Sequence, residues 1–329
     1  MLAFYALVAF LFVTNAAAQK VPRNETEIKV PSSYQPLKAQ RSDELNRILK
    51  NVVDEAVADF KERHLLSDDF AVTVIDLSDT NRVRIADHRG EERIYPASVV
   101  KMFYMATLFQ QIEDGKITMT KELERGLKDM IVDSSNEATQ YIVDVLTNTS
   151  SGGELPQKEF ELWSYRRNRM NRYFTSMGYT NINVNQKTHC EDAYGVEQQF
   201  RNYKSENRNM ITTNASARLI AEIALGRIVN AKRSAEMMDI LKRDPFAEGK
   251  EANSQAVNFV GKALKDRKIE GAKLWSKAGW TNHTRHDAAY LETPDGIKLA
   301  IAIYTVRHAD EKEIIPAIAG KLIEILREK

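Results

Sequence analysis

Apolar residues recur along this chain with two different periods, and the alternation between them outlines the fold. After Ser42, the positions Leu45, Ile48, Leu49, Val52, Val53, Val57 and Phe60 fall on one side of a helix that Ser42 is placed to cap. Phe70–Leu77 is then a β-rich run, and beyond the turn at Asp79–Asn81 the segment Val83–Ala86 reads as a second strand. The middle of the chain changes period. Helical patterns lie near 98–112, 121–131, 136–146, 157–176, 214–228 and 234–243, the first of them ending close to Gly115. Strands return at Ala272–Lys277, Ala288–Glu292 and Ile297–Tyr304, the last two joined by the turn Thr293-Pro294-Asp295-Gly296. A closing amphipathic helix carries Ile314, Ile315, Ile318, Leu322, Ile323 and Leu326. Between about 178 and 212 no period holds, and a polar stretch of that length inside a domain is usually functional.

Helix–strand–strand at one end and three strands plus a helix at the other predict an α+β fold. One antiparallel sheet is built from both chain ends and covered on one face by the terminal helices, with an all-α lobe inserted between the halves. The domain so defined spans 40–329, its α/β part about 40–92 and 265–329 and its all-α part about 93–264. Residues 19–39 contain three prolines and little periodicity, and read as an extended linker. Leu2–Val13 is an apolar run too short to span a bilayer comfortably, followed by Ala16-Ala17-Ala18. That pattern predicts a secretory signal peptide over 1–18 and a secreted or periplasmic product; the alternative, since the run lacks a basic flank, is an N-terminal anchor. No later segment of the sequence reads as transmembrane.

Composition narrows the partners. With 43% hydrophobic and 28% charged residues, and a net charge of +1, the chain has no field that points to nucleic acid or an anionic membrane. Cys190 is the only cysteine, so no intrachain disulfide can form.

The anomaly in the pattern is Lys101. It is the only charged residue in Ser98–Gln110, SVVKMFYMATLFQ, a helix apolar on every side and hence buried. Lysine is rarely buried without a partner or a purpose. Ser98 stands three residues earlier, on the same helical face and after Pro96, a residue favoured at helix starts. A desolvated lysine favours its neutral form and can accept a serine proton, so Ser98 and Lys101 read as an activated nucleophile. Two further groups stand out. Asp133-Ser134-Ser135-Asn136 precedes a helical run and is by itself a capping sequence. Ser276-Lys277-Ala278-Gly279-Trp280 ends a strand with a lysine followed by small residues, which suits an anion and a close backbone approach. His283 and His286 form an H-x-x-H pair with no evident third ligand, so neither metal nor cofactor is expected.

In this order the three groups resemble the active site of the penicillin-recognising serine hydrolases, nearest to the class A β-lactamase-like family, over nearly the whole chain after residue 18. The resemblance implies that Ser98 is acylated, Lys101 helps deprotonate it, and Ser134 passes a proton to the leaving nitrogen. Asn136 would bind the substrate amide, Lys277 its carboxylate, and the backbone amides of Ser98 and Trp280 would form the oxyanion hole beside Gly279. The family's Ser-Asp-Asn is here Ser-Ser-Asn, and its Lys-Thr-Gly is Lys-Ala-Gly, which removes a hydroxyl that Arg285 would replace. The interval from Ser98 to Ser134 is short, which implies a more open site. After Met177-Gly178 the glutamate that activates the hydrolytic water would be Glu191, ahead of Asp192 and Glu197. The implied function is a monomeric β-lactamase acting on a small β-lactam or cell-wall peptide. The competing readings are a D,D-peptidase or transpeptidase-like enzyme and a non-catalytic peptidoglycan-binding module.

Overall fold

The computed structural model describes residues 27–189, 192–249 and 252–328. Ser42 caps α1 (Asp43–Asp59), its side chain accepting the Leu45 amide at 3.2 Å, and the helix buries Leu45, Ile48, Leu49, Val52 and Val53. The strands are β1 (Gln40–Arg41), β2 (Phe70–Asp76), β3 (Arg84–His88), β4 (Lys242–Arg243), β5 (Lys273–Trp280), β6 (Thr284–Glu292) and β7 (Lys298–Val306). They form one seven-stranded sheet in the order β1-β3-β2-β7-β6-β5-β4, antiparallel except for β1 against β3. Between β3 and β4 lie α2 (Lys101–Glu113), α3 (Lys121–Lys128), α4 (Asn136–Thr147), α5 (Gln157–Arg167), α6 (Arg169–Ser176), α7 (Val196–Arg201), α8 (Thr213–Ala224) and α9 (Ala231–Leu241). Helices α10 (Ser254–Val257) and α11 (Val260–Asp266) lead back to β5, and α12 (Ile314–Arg327) follows β7.

The sheet is buried on both faces, and alternation along its strands divides the core. In β2, Val72 and Val74 pack with α1, α11 and α12, while Ala71 and Ile75 turn to the helical lobe. The expected layout of a sheet drawn from both ends, covered by the terminal helices and enclosing a helical insert, is the observed one.

Several local features differ from the sequence expectation, each for a polar reason. The pattern over 157–176 is two helices broken at Asn168, whose side chain bonds Ser164 O (3.1 Å) and accepts from Asn171 and Asn185 instead of letting one helix run on. The helix expected to reach 243 stops at Leu241, because Lys242 and Arg243 pair with β5 and the Arg243 guanidinium donates to Ile131 O at 3.0 Å. Of the segment 19–39, expected to be a linker, the described residues 27–39 are docked. Tyr34 OH and the Leu37 amide both donate to the buried Glu222 carboxylate, each at 2.8 Å. Between 178 and 212 the described residues are ordered by side-chain amides rather than by an apolar period. Asn209 accepts from the amides of Asn185 and Gln186 and donates to Tyr104 OH. The signal-peptide residues 1–18 lie outside the described residues. No helix among the described residues is long and apolar enough to cross a membrane.

Candidate active site

The site lies where the helical lobe meets the free edge of β5. β4 pairs with β5 only at Leu274 and Trp275, so Lys277–Trp280 present an unpaired edge to the lobe. Ser98 is set against this edge. It sits in a 3-10 turn, Ala97–Val100, that runs into α2, rather than at the first turn of an α-helix as expected. Ala97 takes a left-handed φ of 46°, an uncommon conformation for a residue with a Cβ, and backbone strain of this kind clusters at functional sites. Gly279 explains how closely the two segments approach. A Cβ built there would lie 2.6 Å from Ser98 N, 2.8 Å from Pro96 O and 2.9 Å from Val99 N. Only glycine lets the strand pass the Ser98 turn at this distance.

Lys101, one turn into the lobe, is fully buried. Its Nζ donates to Ser134 O (2.5 Å), to Asn136 Oδ1 (2.9 Å) and, at 3.3 Å, to Ser134 Oγ. The sequence Ser134-Ser135-Asn136 divides its work. Ser135 caps α4, accepting the Ala138 amide at 3.0 Å. Ser134, with a left-handed φ of 59° after the π-helical turn Asp129–Asp133, is thereby turned toward Lys101 together with Asn136. A helix cap and two contacts to Lys101 thus coexist in three residues.

Lys277 approaches from the other side, also fully buried. Its Nζ donates to Ser134 Oγ (3.0 Å), Gln255 Oε1 (2.6 Å) and Ala278 O (2.8 Å). Ser134 Oγ therefore bridges two lysines. Burial first, then the charge of Lys101 and of Arg243, holds the Lys277 ammonium well below the ordinary lysine range.

Two buried polar groups next to β5 have no signal in the sequence, Gln255 at the site and Asp287 on the opposite sheet face. Gln255, on a four-residue helix with no period to reveal it, accepts from Lys277 Nζ and from the Ala278 amide (3.2 Å) and donates to Val132 O at 2.8 Å. It ties β5 to the turn that carries Ser134. Asp287 faces Ala278 across the β5–β6 pair. It is fully buried, accepts the Val260 amide at 3.1 Å through Oδ2, and its Oδ1 has no hydrogen-bond partner among the described residues. Burial pushes its carboxyl up to about 7, against the Val260 amide and the charges of Lys277, Arg243 and Arg285.

The remaining sequence candidates separate. Trp280 ends β5 half-exposed, its ring 5.8 Å from that of Phe259. Arg285 pairs with Trp280 in register. Its guanidinium stacks 4.0 Å from the centre of the Phe259 ring and donates to Asn258 O at 2.8 Å. Alternation places Trp280 and Arg285 on the sheet face opposite Lys277 and Gly279. His286 is buried. Its Nε2 lies 2.9 Å from Tyr95 O and its Nδ1 accepts the Thr305 amide at 3.2 Å, while burial lowers its pKa to about 4. His283 is exposed, so the H-x-x-H pair does not converge.

Of the acids on the 178–212 segment, Glu191 lies outside the described residues. Asp192 is exposed and paired with Arg201. Glu197 is buried in a fork with Arg167, two contacts of 2.8 Å, and also takes Ser151 Oγ at 2.9 Å and Lys187 at 3.3 Å. Despite its burial, these cations and donors hold the Glu197 carboxyl below its ordinary value. It works as a fastener for the segment and is not free to serve as a base.

Comparison with known proteins bears on the fold. The fold matches a β-lactamase from Sphaerobacter thermophilus DSM 20745 at 18% identity and TM-score 0.60, covering 84% of this chain and 97% of that one. It matches PBP-A at 15% identity and TM-score 0.59, covering 90% and 100%. The class A β-lactamase of the last common ancestor of Gram-negative bacteria matches at 17% identity and TM-score 0.57, covering 86% and 99%. At these identities the structural likeness carries the fold alone. No curated protein matches the sequence. The family model described as the beta-lactamase enzyme family matches residues 49–326, and the chain belongs to that family.

Proposed function

We propose that the protein is a serine hydrolase that opens β-lactam amides through an acyl-enzyme on Ser98. The observation that supports this most directly is the chain from buried Lys101 through Ser134 to buried Lys277, beside a strained serine turn. In the proposed reaction the Ser98 Oγ proton passes to Lys101 as Oγ attacks the lactam carbonyl. The amides of Ser98 and Trp280 receive the developing oxyanion. The proton then reaches the leaving nitrogen through Ser134 Oγ, which lies between the two lysines. Two buried ammonium groups on one hydroxyl repel each other, so a state with a proton on only one of them is favoured, and that state can relay a proton. Asn136, held by Lys101, would meet the substrate amide, and Lys277 would attract the substrate carboxylate. Arg285 would reinforce Lys277 only by turning from Phe259. Glu191 is proposed as the base for the deacylating water.

The second reading is a D,D-peptidase or transpeptidase-like enzyme with the same Ser98 and Lys101. The PBP-A fold match and the loss of the Lys-Thr-Gly hydroxyl at Ala278 favour keeping it. Mass spectrometry after brief and long exposure to benzylpenicillin separates the readings. A transient adduct on Ser98 with turnover of a chromogenic cephalosporin is the lactamase result. A lasting adduct with D-Ala release from acyl-D-Ala-D-Ala peptides is the peptidase result. No adduct and no turnover, with muropeptide binding retained, makes the protein a binding module and overturns both.

A further inference from the structure

Gln255 stands behind the site, 2% exposed, between the strand that carries Lys277 and the turn that carries Ser134. A carboxamide offers two acceptor positions on its oxygen and two donors on its nitrogen, and here all four are taken. Oε1 accepts from Lys277 Nζ at 2.6 Å and from the Ala278 amide at 3.2 Å. Nε2 donates to Ile131 O at 3.2 Å and to Val132 O at 2.8 Å. These partners also fix which way the amide faces, because an ammonium and a backbone N–H only donate and a carbonyl only accepts. Glutamate in this place would lack the two donors, and methionine would lack all four groups.

The segment that carries Gln255 is clamped. Asn253 caps α10, accepting the Gln255 backbone amide at 2.8 Å, and donates through Nδ2 to Val132 O at 3.2 Å. The Val260 amide, at the start of α11, is held by Asp287 Oδ2 on β6 at 3.1 Å. Gly261 lets the segment lie close to β5, since a Cβ there would stand 2.9 Å from Leu274 Cδ2. Ile131 O takes a second donor, the Arg243 guanidinium of β4, at 3.0 Å. The π-helical turn before Ser134 is thus held from behind by α10 and β4.

This bracing acts where two cations share one hydroxyl. Lys101 Nζ lies 3.3 Å and Lys277 Nζ 3.0 Å from Ser134 Oγ. Like charges so placed push each other apart or shed a proton. The three ammonium hydrogens of Lys277 go to Ser134 Oγ, Gln255 Oε1 and Ala278 O, all neutral acceptors. Ala278 O belongs to the same strand as Lys277. Of the three, Gln255 alone ties Lys277 to the backbone of the Ser134 turn.

We propose that Gln255 is a positioning residue for proton transfer through Ser134, holding the Lys277 ammonium against the Ser134 hydroxyl by fixing β5 and the turn to each other. The proposal rests on the acyl-enzyme reading above. In that reading Lys101 is neutral when it takes the Ser98 proton and Lys277 carries its charge, so acylation falls on the alkaline side as Lys277 loses its proton. The charged groups that act on Lys277 are Lys101 on α2, Arg243 on β4 and Asp287 on β6, and Asp133 of the π-helical turn acts on Arg243. All four are unchanged by substitution of Gln255, so a difference in the alkaline limb reports position 255.

The test follows the second-order rate constant for acylation of Ser98 by benzylpenicillin, read by mass spectrometry from about pH 5 to 10. It compares the intact protein with Gln255→Met and Gln255→Glu, with thermal unfolding as the control for fold. Met removes an acceptor from the ammonium, so acylation at neutral pH should fall about 10- to 100-fold and the alkaline limb should move down by about one pH unit. Glu keeps the acceptor and adds a charge that favours the ammonium, so the limb should move up. Loss of a merely structural contact slows both variants without moving their limbs in opposite directions. A limb unmoved, or moved against these directions, in a folded variant overturns the proposal. If neither variant folds, the side-chain amide resonances of Gln255 in the intact protein decide. They should titrate with the midpoint of the alkaline limb, and resonances constant through it overturn the proposal. An intact protein that benzylpenicillin does not acylate on Ser98 at any pH overturns the underlying reading instead.

Discussion

Gly279→Ala is the sharpest test of the site, because the whole effect comes from one added carbon against backbone atoms. The new Cβ would stand 2.6 Å from Ser98 N, where ordinary contacts begin at 3.4 Å, so the strand and the Ser98 turn must part by about 0.8 Å. The neighbours at 2.8 and 2.9 Å are Pro96 O and Val99 N, also backbone, so no side chain can swing aside. A displacement near 1 Å in a reacting geometry costs on the order of 10²-fold in rate, and loss of one oxyanion donor costs about 10²–10³. Overpacking of this kind costs about 1–3 kcal/mol of stability, which a domain of this size survives. The assay is the acylation rate with benzylpenicillin, followed by mass spectrometry, with thermal unfolding as the control for fold. The expected outcome is a folded protein acylated about 10²-fold or more slowly. Acylation within threefold of the unmodified protein, in a folded variant, would show that the Ser98 amide does not serve as an oxyanion donor against β5.

Ser98→Ala should abolish the penicilloyl adduct, and peptide mapping that finds the label on another residue removes Ser98 as nucleophile. Glu191→Gln should allow acylation but slow release by about 10²–10⁴, read from the lifetime of the adduct; unchanged turnover excludes Glu191 as the base. Arg167→Met should destabilise the fold by about 3–5 kcal/mol in urea titration, since it strands the buried Glu197 carboxylate, whereas a loss under 1 kcal/mol would show that Lys187 and Ser151 suffice. Asp287 binds its proton more tightly when folded, about 7 against an ordinary 3.8, so its contribution to stability falls as pH rises from about 4 through 7. His286, lowered to about 4, acts with the opposite sign between 4 and 6.5, so only a difference isolates Asp287. The gain in Tm of Asp287→Asn over the unmodified protein should therefore grow from pH 4 to pH 7, and a constant difference refutes the buried-acid reading.

Much of this protein was legible in the order of its residues. The periods of α1, β2, β7 and α12 are set by which side chains must leave water, and they gave the two-faced sheet and the covering helices directly. Lys101 was visible for the same reason, as one charge in a run that burial demands be apolar. The chemistry of Ser98, Ser134, Asn136 and Lys277 was readable as residue types, and the tertiary structure brought Lys101 and Lys277 onto the Ser134 hydroxyl and Asn136 onto Lys101. What had no local signature depended on distant partners. Gln255 sits on four residues without a period and matters only because β5 and the Ser134 turn converge on its amide. Glu197 read as a possible base until Arg167, thirty residues away, was seen to enclose it. Segment 27–39 read as a linker because its anchor, Glu222, is nearly two hundred residues distant. Sequence determined which groups must be buried, since hydrophobic period is a local property. Only the tertiary structure decided which buried polar groups meet, since hydrogen bonds and charge pairs are fixed by positions in space that lie far apart along the chain.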